Sequence, residues 1–303
     1  MDQAIFTGLC ETAGREHVYQ EEPLSRHTTF RIGGPADYFV VPESISALVK
    51  TVAFCREREI PFYILGNGSN LLVGDKGYRG VIIQLYKNLN QIRTEGEIIR
   101  AQSGAMLSAI ARTAMENGLT GLEFASGIPG TLGGAVVMNA GAYGGEMKDV
   151  IRTVRVLSQS GKLLDIPGEK MEFGYRTSVV GRKQYVVLEA ELKLCPGDRE
   201  EISFRMKELQ EKRVEKQPLN LPSAGSTFKR PEGYFAGKLI MDAGLRGFSV
   251  GGAQISEKHC GFVVNKGQAT AADVRELMRQ VSDIVQEKYG VLLEPEVKML
   301  GEF

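Results

Sequence analysis

Residues 126–145 read SGIPGTLGGAVVMNAGAYGG, with seven glycines in twenty positions, Gly133 and Gly134 adjacent, Pro129 ahead of them and Asn139 behind. Glycine reaches backbone dihedrals closed to other residues and lets N–H groups approach a ligand closely. Successive N–H groups in such turns form a concavity suited to an anion such as a diphosphate. An ordinary loop between two strands is the competing explanation. The apolar centre, Ala135, Val136, Val137 and Met138, argues against a slack linker and for a loop built to hold something.

A second glycine-rich turn lies at residues 62–73, FYILGNGSNLLV: a short apolar strand, a G-N-G-S-N turn and another apolar run. It fails as a dinucleotide fingerprint. The third glycine position is Leu71 and no helical pattern follows, whereas that motif needs strand, turn and helix. A P-loop fails too, since neither Gly161-Lys162 nor Gly237-Lys238 is followed by Ser or Thr. Two phosphate-cradling loops are thus present outside the common nucleotide folds.

GNGSNLLV, followed about fifty residues later by GIPGTLGGAVVMNAGAYGG, resembles the FAD-binding domain of the UDP-N-acetylenolpyruvoylglucosamine reductase (MurB) family. That family belongs to the vanillyl-alcohol-oxidase-like class of flavoproteins. The remaining family motifs occur in order out to Glu296, so the resemblance covers the whole chain. It implies an α+β fold, with a two-part FAD-binding domain and a C-terminal α+β substrate-binding domain. The division it implies is residues 1–79 (completed by 291–303) and 80–196 for FAD, and 197–290 for substrate. Non-covalent FAD and NADPH as reductant follow from the same resemblance. So do the flavin contacts: Arg31 in HTTFRIGG, Gly66, Asn67, Gly68, Ser69 and Asn70 in the first turn, and Gly127, Gly130, Thr131, Gly133, Gly134, Asn139 and Gly141 in the second.

Hydrophobic residues at 43% and charged ones at 24% are ordinary values for a globular protein. The 303 residues carry 37 basic and 37 acidic side chains, a balance that argues against nucleic-acid or membrane-surface partners. Neither a basic-then-apolar signal segment nor an 18-residue apolar run occurs. Cys10, Cys55, Cys195 and Cys260 are scattered without a C-x-x-C pair, as in a cytosolic protein. With only His17, His27 and His259, little is available for histidine metal chemistry. The expectation is a cytoplasmic monomer without a metal.

Read in order, residues 1–22 are polar with room for a short helix, and HTTFRIGG (27–34) reads as a strand entering a turn. Ser44 starts a helix to about Glu59 with Ile45, Leu48, Val49, Val52 and Cys55 on one face, and the strand 62–65 follows. Residues 81–83 and 98–99 read as short strands around a polar hairpin. Leu107, Ile110, Ala111, Ala114 and Met115 mark a helix closed by Gly118. Strands are expected at 153–157, 162–166 and 185–194, with Ser160-Gly161 as a hairpin turn. A charged helix runs from Asp198 or Glu200 to about Lys216. Residues 218–231 read as irregular, 260–264 as a strand, and 291–303 as a final strand. Thr270 with Asp273 forms a capping box for a helix that Gly290 stops.

Three places carry the residue types for chemistry. FGYRTS (173–178) matches the family motif that sets an arginine, here Arg176, against the substrate carboxylate. A guanidinium grips a carboxylate through two parallel N–H donors, which lysine cannot do. A surface arginine is the alternative, and the neighbouring Phe173 and Tyr175, the latter implied in substrate binding, weigh against it. In AGSTFKR (224–230) the resemblance makes Ser226 the proton donor. Ser226 and Lys229 also spell the S-x-x-K of serine acyl-transferases, but Ser282-Asp283 is followed by Ile284 and no K-T-G exists. A hydrolase elbow fails because Ser226 sits in A-G-S-T-F. In LEPEVK (293–298) the resemblance selects Glu296 as catalytic. Pro295 favours an extended chain before it, and on a regular strand Glu294 would share its face, so spacing does not choose between them.

Arg230, Arg246 and His259 are implied in binding the UDP-sugar, whose diphosphate suits charge-assisted contacts. Only eight residues separate Arg176 from Tyr185, so the insertion with an extra tyrosine found in one branch is missing. The chain resembles the shorter, type II branch. The activity implied is NADPH-dependent reduction of the enolpyruvyl group of UDP-N-acetylglucosamine enolpyruvate to UDP-N-acetylmuramate, for peptidoglycan synthesis. The rivals are another FAD-dependent oxidoreductase of this fold, a serine acyl-transferase using Ser226 and Lys229, and a non-catalytic flavin- or UDP-sugar-binding protein. Covalent flavin attachment is disfavoured because no histidine lies between His27 and His259.

Overall fold

Alternating apolar and polar residues produce the largest sheet of the computed structural model, which describes residues 2–303. Five antiparallel strands pair in the order Leu163–Pro167, Ile151–Leu157, Val186–Lys193, Ile98–Gln102, Ile92–Glu95. The Ser160-Gly161 turn closes the first hairpin, with the Ser158 N–H donating to the Lys162 carbonyl at 2.8 Å. The second hairpin differs from expectation. Ile98–Gln102 pairs with Ile92–Glu95 across Gly96, whose φ of 59° suits a tight loop. Residues 81–84 instead lie parallel to Phe62–Leu65 in another sheet. The helix Leu107–Glu116 buries Leu107, Ile110, Ala111 and Ala114 in the same core as Val154, Val156 and Leu192.

By density of contacts the chain divides into two units. The sheet just described belongs to unit 1, which comprises the segment ending at Tyr19 with Tyr38–Asn67 and Val81–Arg213. A second core in this unit brings Leu9 of the helix Gln3–Ala13 against Leu48, Val52 and Cys55 of the helix Ile45–Glu57. Ser44 caps that helix, accepting from the Ala47 N–H at 3.1 Å. The glycine-rich stretch, expected as a loop, contains a helix, Leu132–Met138. Leu132, Ala135 and Val136 recur at helical spacing and are buried, so apolar burial sets the backbone there.

Unit 2 comprises Gln20–Asp37, Gly68–Gly80 and Val214–Phe303. Its four-stranded antiparallel sheet runs Ser223–Ser226, Phe262–Asn265, Ala253–Ile255, Ser249–Val250. The helix Ala271–Tyr289 contributes Val274, Leu277, Met278, Val281 and Val285 to the core beside it. A short helix, Ala236–Asp242, adds Leu239 and Ile240; glycines on both sides hide it in the sequence. Ser223–Ser226 is a strand inside the stretch read as irregular. HTTFRIGG is not a strand: the Arg31 N–H donates to the Thr28 carbonyl at 3.2 Å, and the turn leaves Phe30 and Ile32 buried. Of residues 291–303 only Lys298–Leu300 forms a strand, parallel to Leu71–Val73.

Among the described residues no helix is long and apolar enough to cross a membrane. All four cysteines are free thiols, and burial pushes that of Cys55 up to about 12.

The capping box read from the sequence is present. The Thr270 hydroxyl accepts from the Asp273 N–H and the Asp273 carboxylate from the Thr270 N–H, both at 3.0 Å. The backbone donors at Thr270 and Gly252 hold the Asp273 carboxyl below its ordinary range. A depressed carboxyl contributes stability that is present above the unfolded value, about 3.9, and lost as pH falls through the folded one. Asp273→Ala should therefore lower unfolding free energy by about 1 kcal/mol at neutral pH. Denaturant titrations should show this difference shrinking below about pH 4; a difference constant with pH would exclude the carboxylate as its source.

Candidate active site

In unit 1 the two glycine-rich segments meet. Asn67 Nδ2 donates to the Pro129 carbonyl at 2.7 Å, and a Cβ on Gly66 would stand 2.3 Å from Thr131 Oγ1. Any side chain at Gly66 would have to displace the Thr131 hydroxyl from where the first turn lies on the second segment. The paired glycines do different work. A Cβ on Gly133 would crowd the Ser103 side chain and carbonyl at 3.1 and 3.2 Å, whereas one on Gly134 would meet only Thr131 Oγ1 at 3.8 Å. Gly133 packs; Gly134 is exposed and bare. The first N–H groups are spent unevenly as well. Leu132 and Gly133 donate to the Ala105 and Ser103 carbonyls, both at 2.8 Å. A glycine that protein atoms do not cover, beside a loop held at close range, fits a bound diphosphate. Of the other expected flavin contacts here, the Gly130 carbonyl accepts from Leu107 N–H at 3.0 Å, and Gly141 lies against the Gly145 carbonyl.

Arg213 was invisible among the charges of the helix Arg199–Lys216, yet the fold brings its stem to 3.1 Å from where a Gly127 Cβ would be. Burial lowers its pKa, and among the described residues it forms no ion pair. A half-buried guanidinium without an acidic partner, against this glycine segment, fits an anionic ligand. Only position in the fold separates it from the solvated cations around it.

Arg176 sits at φ 56° in a two-residue turn, with Gly174 and Thr177 exchanging N–H···O bonds at 3.1 and 3.3 Å. A left-handed non-glycine residue is uncommon and marks strain that the surroundings must hold. Arg31 (φ 56°) and Asn139 (φ 43°) share the feature. Tyr175 is exposed, with the Arg176 guanidinium 5.3 Å from its ring centre.

In unit 2, residues 223–230 run beside 293–297. Phe228 bridges Pro295, the Glu296 N–H donates to the Thr227 carbonyl at 2.8 Å, and the Lys229 N–H to the Glu294 carbonyl at 2.8 Å. This register lays the segment that carries Ser226 beside the segment that carries Glu296. Asn70 Nδ2 donates to the Glu296 carbonyl at 3.3 Å, and Gly225 lies near the Ser69 carbonyl. Gly68 packs on the His27 carbonyl, and the Thr29 hydroxyl donates to the Ser223 carbonyl at 2.6 Å. The segments carrying Arg31, Ser69, Asn70, Ser226 and Glu296 are therefore stitched into one neighbourhood.

Two readings need correction. Glu294 and Glu296 do not share a face, because the chain around Pro295 is not a regular strand. Glu294 is exposed and pairs with Lys229 Nζ at 2.8 Å, while Glu296 is 9% exposed. The acyl-transferase reading fails on the same contact. S-x-x-K needs a helix to set the two side chains side by side, and here Ser226 ends a strand and Lys229 pairs with Glu294.

The expected substrate cations are engaged locally. Arg230 donates from Nε to the Tyr234 carbonyl at 3.3 Å and stacks on Phe235 at 4.0 Å. Arg246 donates to the Glu257 carbonyl. His259 Nδ1 accepts from the Gly261 N–H at 3.0 Å, and burial lowers its pKa, so the ring is a neutral Nε2–H donor near pH 7.

Two family models match the chain: an FAD binding domain at residues 36–167 and the UDP-N-acetylenolpyruvoylglucosamine reductase C-terminal domain at residues 217–300. Over its full length the chain is 54% identical to the whole UDP-N-acetylenolpyruvoylglucosamine reductase of Agathobacter rectalis. The chain belongs to the UDP-N-acetylenolpyruvoylglucosamine reductase family. The reductase of Caldanaerobacter subterraneus is 52% identical, again with both chains fully covered. The crystal structure of the Thermus caldophilus reductase superposes with a TM-score of 0.80 at 38% identity, covering 93% of this chain and 98% of that one. A 4-ethylphenol oxidase from Gulosibacter chungangensis matches 64% of this chain and 42% of that one, with a TM-score of 0.50 at 17% identity, and shares the fold alone. The α+β architecture with an oxidase-like FAD-binding part and a C-terminal domain is as the sequence led one to expect.

Because nothing in the protein occupies the space off Gly134, Gly134→Val should fold normally and lose flavin. Protein purified with its thermal midpoint within a few degrees of the parent but without the flavin absorbance band is the expected outcome. Full FAD content would remove Gly134 from the cradle.

Proposed function

We infer that the protein is an NADPH-dependent, FAD-containing reductase that converts UDP-N-acetylglucosamine enolpyruvate to UDP-N-acetylmuramate in peptidoglycan precursor synthesis. Identity of 54% over the full length of a reductase of that activity carries this reading. The flavin residues proposed are Arg31, Gly66–Asn70, Gly127, Gly130, Thr131, Gly133, Gly134 and Gly141, to which Arg213 is added; Asn139, buried with its amide committed within the protein, is not counted among them. Residues 1–79 with 291–303 and 80–196 are proposed to serve FAD, and 197–290 the substrate. We place the enzyme in the cytoplasm, which free thiols at all four cysteines suit, and take it to act as a monomer.

FAD, when bound, accepts hydride from NADPH and supplies it to the enolpyruvyl group. Arg176 is the carboxylate clamp: its guanidinium offers two parallel donors, and the strained turn fixes its backbone. Negative charge that develops toward the carboxylate is met by that cation, and a positioned charge of this kind is typically worth about 3 kcal/mol. Ser226 donates the proton at C2. Its half-buried hydroxyl has no hydrogen-bond partner among the described residues, so its proton is not committed to the protein. Glu296, on the adjoining segment and nearly excluded from water, or its proton, would join Arg176 in stabilising the enolate-like species. Tyr175, Arg230, Arg246 and His259 are proposed for the UDP-sugar, His259 as a neutral donor.

Hydride transfer and protonation make different demands. Ser226→Ala should leave flavin reduction by NADPH nearly intact and slow oxidation by the sugar about 100- to 10,000-fold. Ser226→Cys should recover part of the loss. Stopped-flow traces at the flavin band decide it, and equal slowing of both half-reactions would make the serine structural.

No second nucleotide motif is present, so NADPH and the UDP-sugar should use one pocket in turn. Parallel double-reciprocal plots with mutual competitive inhibition at high concentration are expected. Intersecting lines without inhibition would mean two sites.

A further inference from the structure

Asn139 ends the helix Leu132–Met138 in the left-handed conformation and is 2% exposed. Its amide is committed on both sides. Oδ1 accepts from the Lys148 N–H at 3.0 Å, and Nδ2 donates to Glu146 Oε2 at 2.9 Å and to the Gly174 carbonyl at 3.2 Å. Because a backbone N–H only donates, the Lys148 contact fixes which end of the amide is oxygen. Gly174 opens the turn that carries Arg176. A second tie joins the same two elements: the fully buried Ser178 donates its hydroxyl to the Val137 carbonyl at 3.0 Å. Glu146 is held in turn by Lys148 Nζ at 2.8 Å, and its carboxyl lies below the ordinary range mainly through that bond, with the Asn139 amide and the Arg176 charge adding to it.

We propose that Asn139 is a positioning residue for Arg176, clasping the Tyr175–Arg176 turn to the C-terminal end of the glycine-rich helix rather than binding flavin. A left-handed turn at an arginine is unfavourable by itself and persists only when its flanks are held. The clasp supplies that from the element whose other end bears Gly134, so the cradle and the carboxylate clamp share one rigid piece. The Asn139 side chain, on its left-handed backbone, reaches three partners on two separate segments.

The proposal rests on the reading of Arg176 as the carboxylate's partner, and the test separates the two. Asn139→Asp keeps the shape, the left-handed tolerance and the acceptor for Lys148, but turns the donor toward Gly174 into an acceptor. Asn139→Gly keeps the backbone conformation and removes the amide. Both are measured as FAD-loaded holoenzyme beside Arg176→Ala. Expected are parent-like FAD content and NADPH half-reaction, and faster amide exchange in peptides covering residues 174–178. Slowing of the sugar half-reaction by about 10- to 100-fold should accompany these, with KM for the sugar raised and KM for NADPH unmoved. Unchanged exchange at 174–178 would overturn the clasp, and loss of FAD in proportion to activity would return Asn139 to the flavin. Faster exchange with an unaltered sugar step, matched by an unimpaired Arg176→Ala, would overturn the proposal through the reading of Arg176.

Discussion

The helix Leu132–Met138 is anchored by its backbone rather than by long side chains, and the rest of unit 1's candidate site hangs on that. Leu132 and Gly133 donate to carbonyls of the Ser103–Ala105 corner, and the absence of a side chain at Gly133 permits the approach. Close backbone contact leaves the next glycine facing outward with nothing over it. The same helix then presents Thr131 to the first glycine-rich turn and Asn139 to the Arg176 turn. A segment rich in glycine is normally costly to order. Here Leu132, Ala135 and Val136 are buried on one side, and that burial offsets the cost while the other side stays available.

Unit 2 solves a different problem: laying the segment that carries Ser226 beside the one that carries Glu296 without a helix. The continuation of the strand Ser223–Ser226 pairs with residues 293–297 through single bonds at Thr227, Lys229 and Glu296, an irregular ladder broken at Pro295. That break turns Glu294 out to Lys229 and Glu296 inward. An ordinary two-residue period would have aimed both carboxylates alike. The separation gives one acid a screened surface pair, worth little to stability, and the other a nearly dry environment, where a carboxyl group can act on charge in a substrate.

Local chemistry made several elements legible in the sequence. Ser44 and Thr270 with Asp273 mark helix starts, Gly290 a stop, and the hairpin at Ser160-Gly161 a turn, because each is decided by residues within a few positions of one another. The order of GNGSN, GIPGTLGG, FGYRTS, AGSTFKR and LEPEVK along the chain was likewise enough to point to the family, since those motifs are carried by linear spacing.

What the tertiary structure alone decided are the surroundings of the individual residues within those motifs. Gly133 and Gly134 look alike until Ser103, thirty residues away, packs on one of them. Asn139 is one implied flavin contact of a glycine-rich loop in the sequence and a clasp at a helix end in the fold, through a carbonyl 35 residues on. Arg213 is one of many charges on its helix until Gly127 is found against its stem, and the burial of Glu296 beside an exposed Glu294 is set by the chain alongside. In each case the deciding partner is remote in sequence, and packing, which acts between surfaces rather than neighbours, assigns what a pattern of residues leaves open.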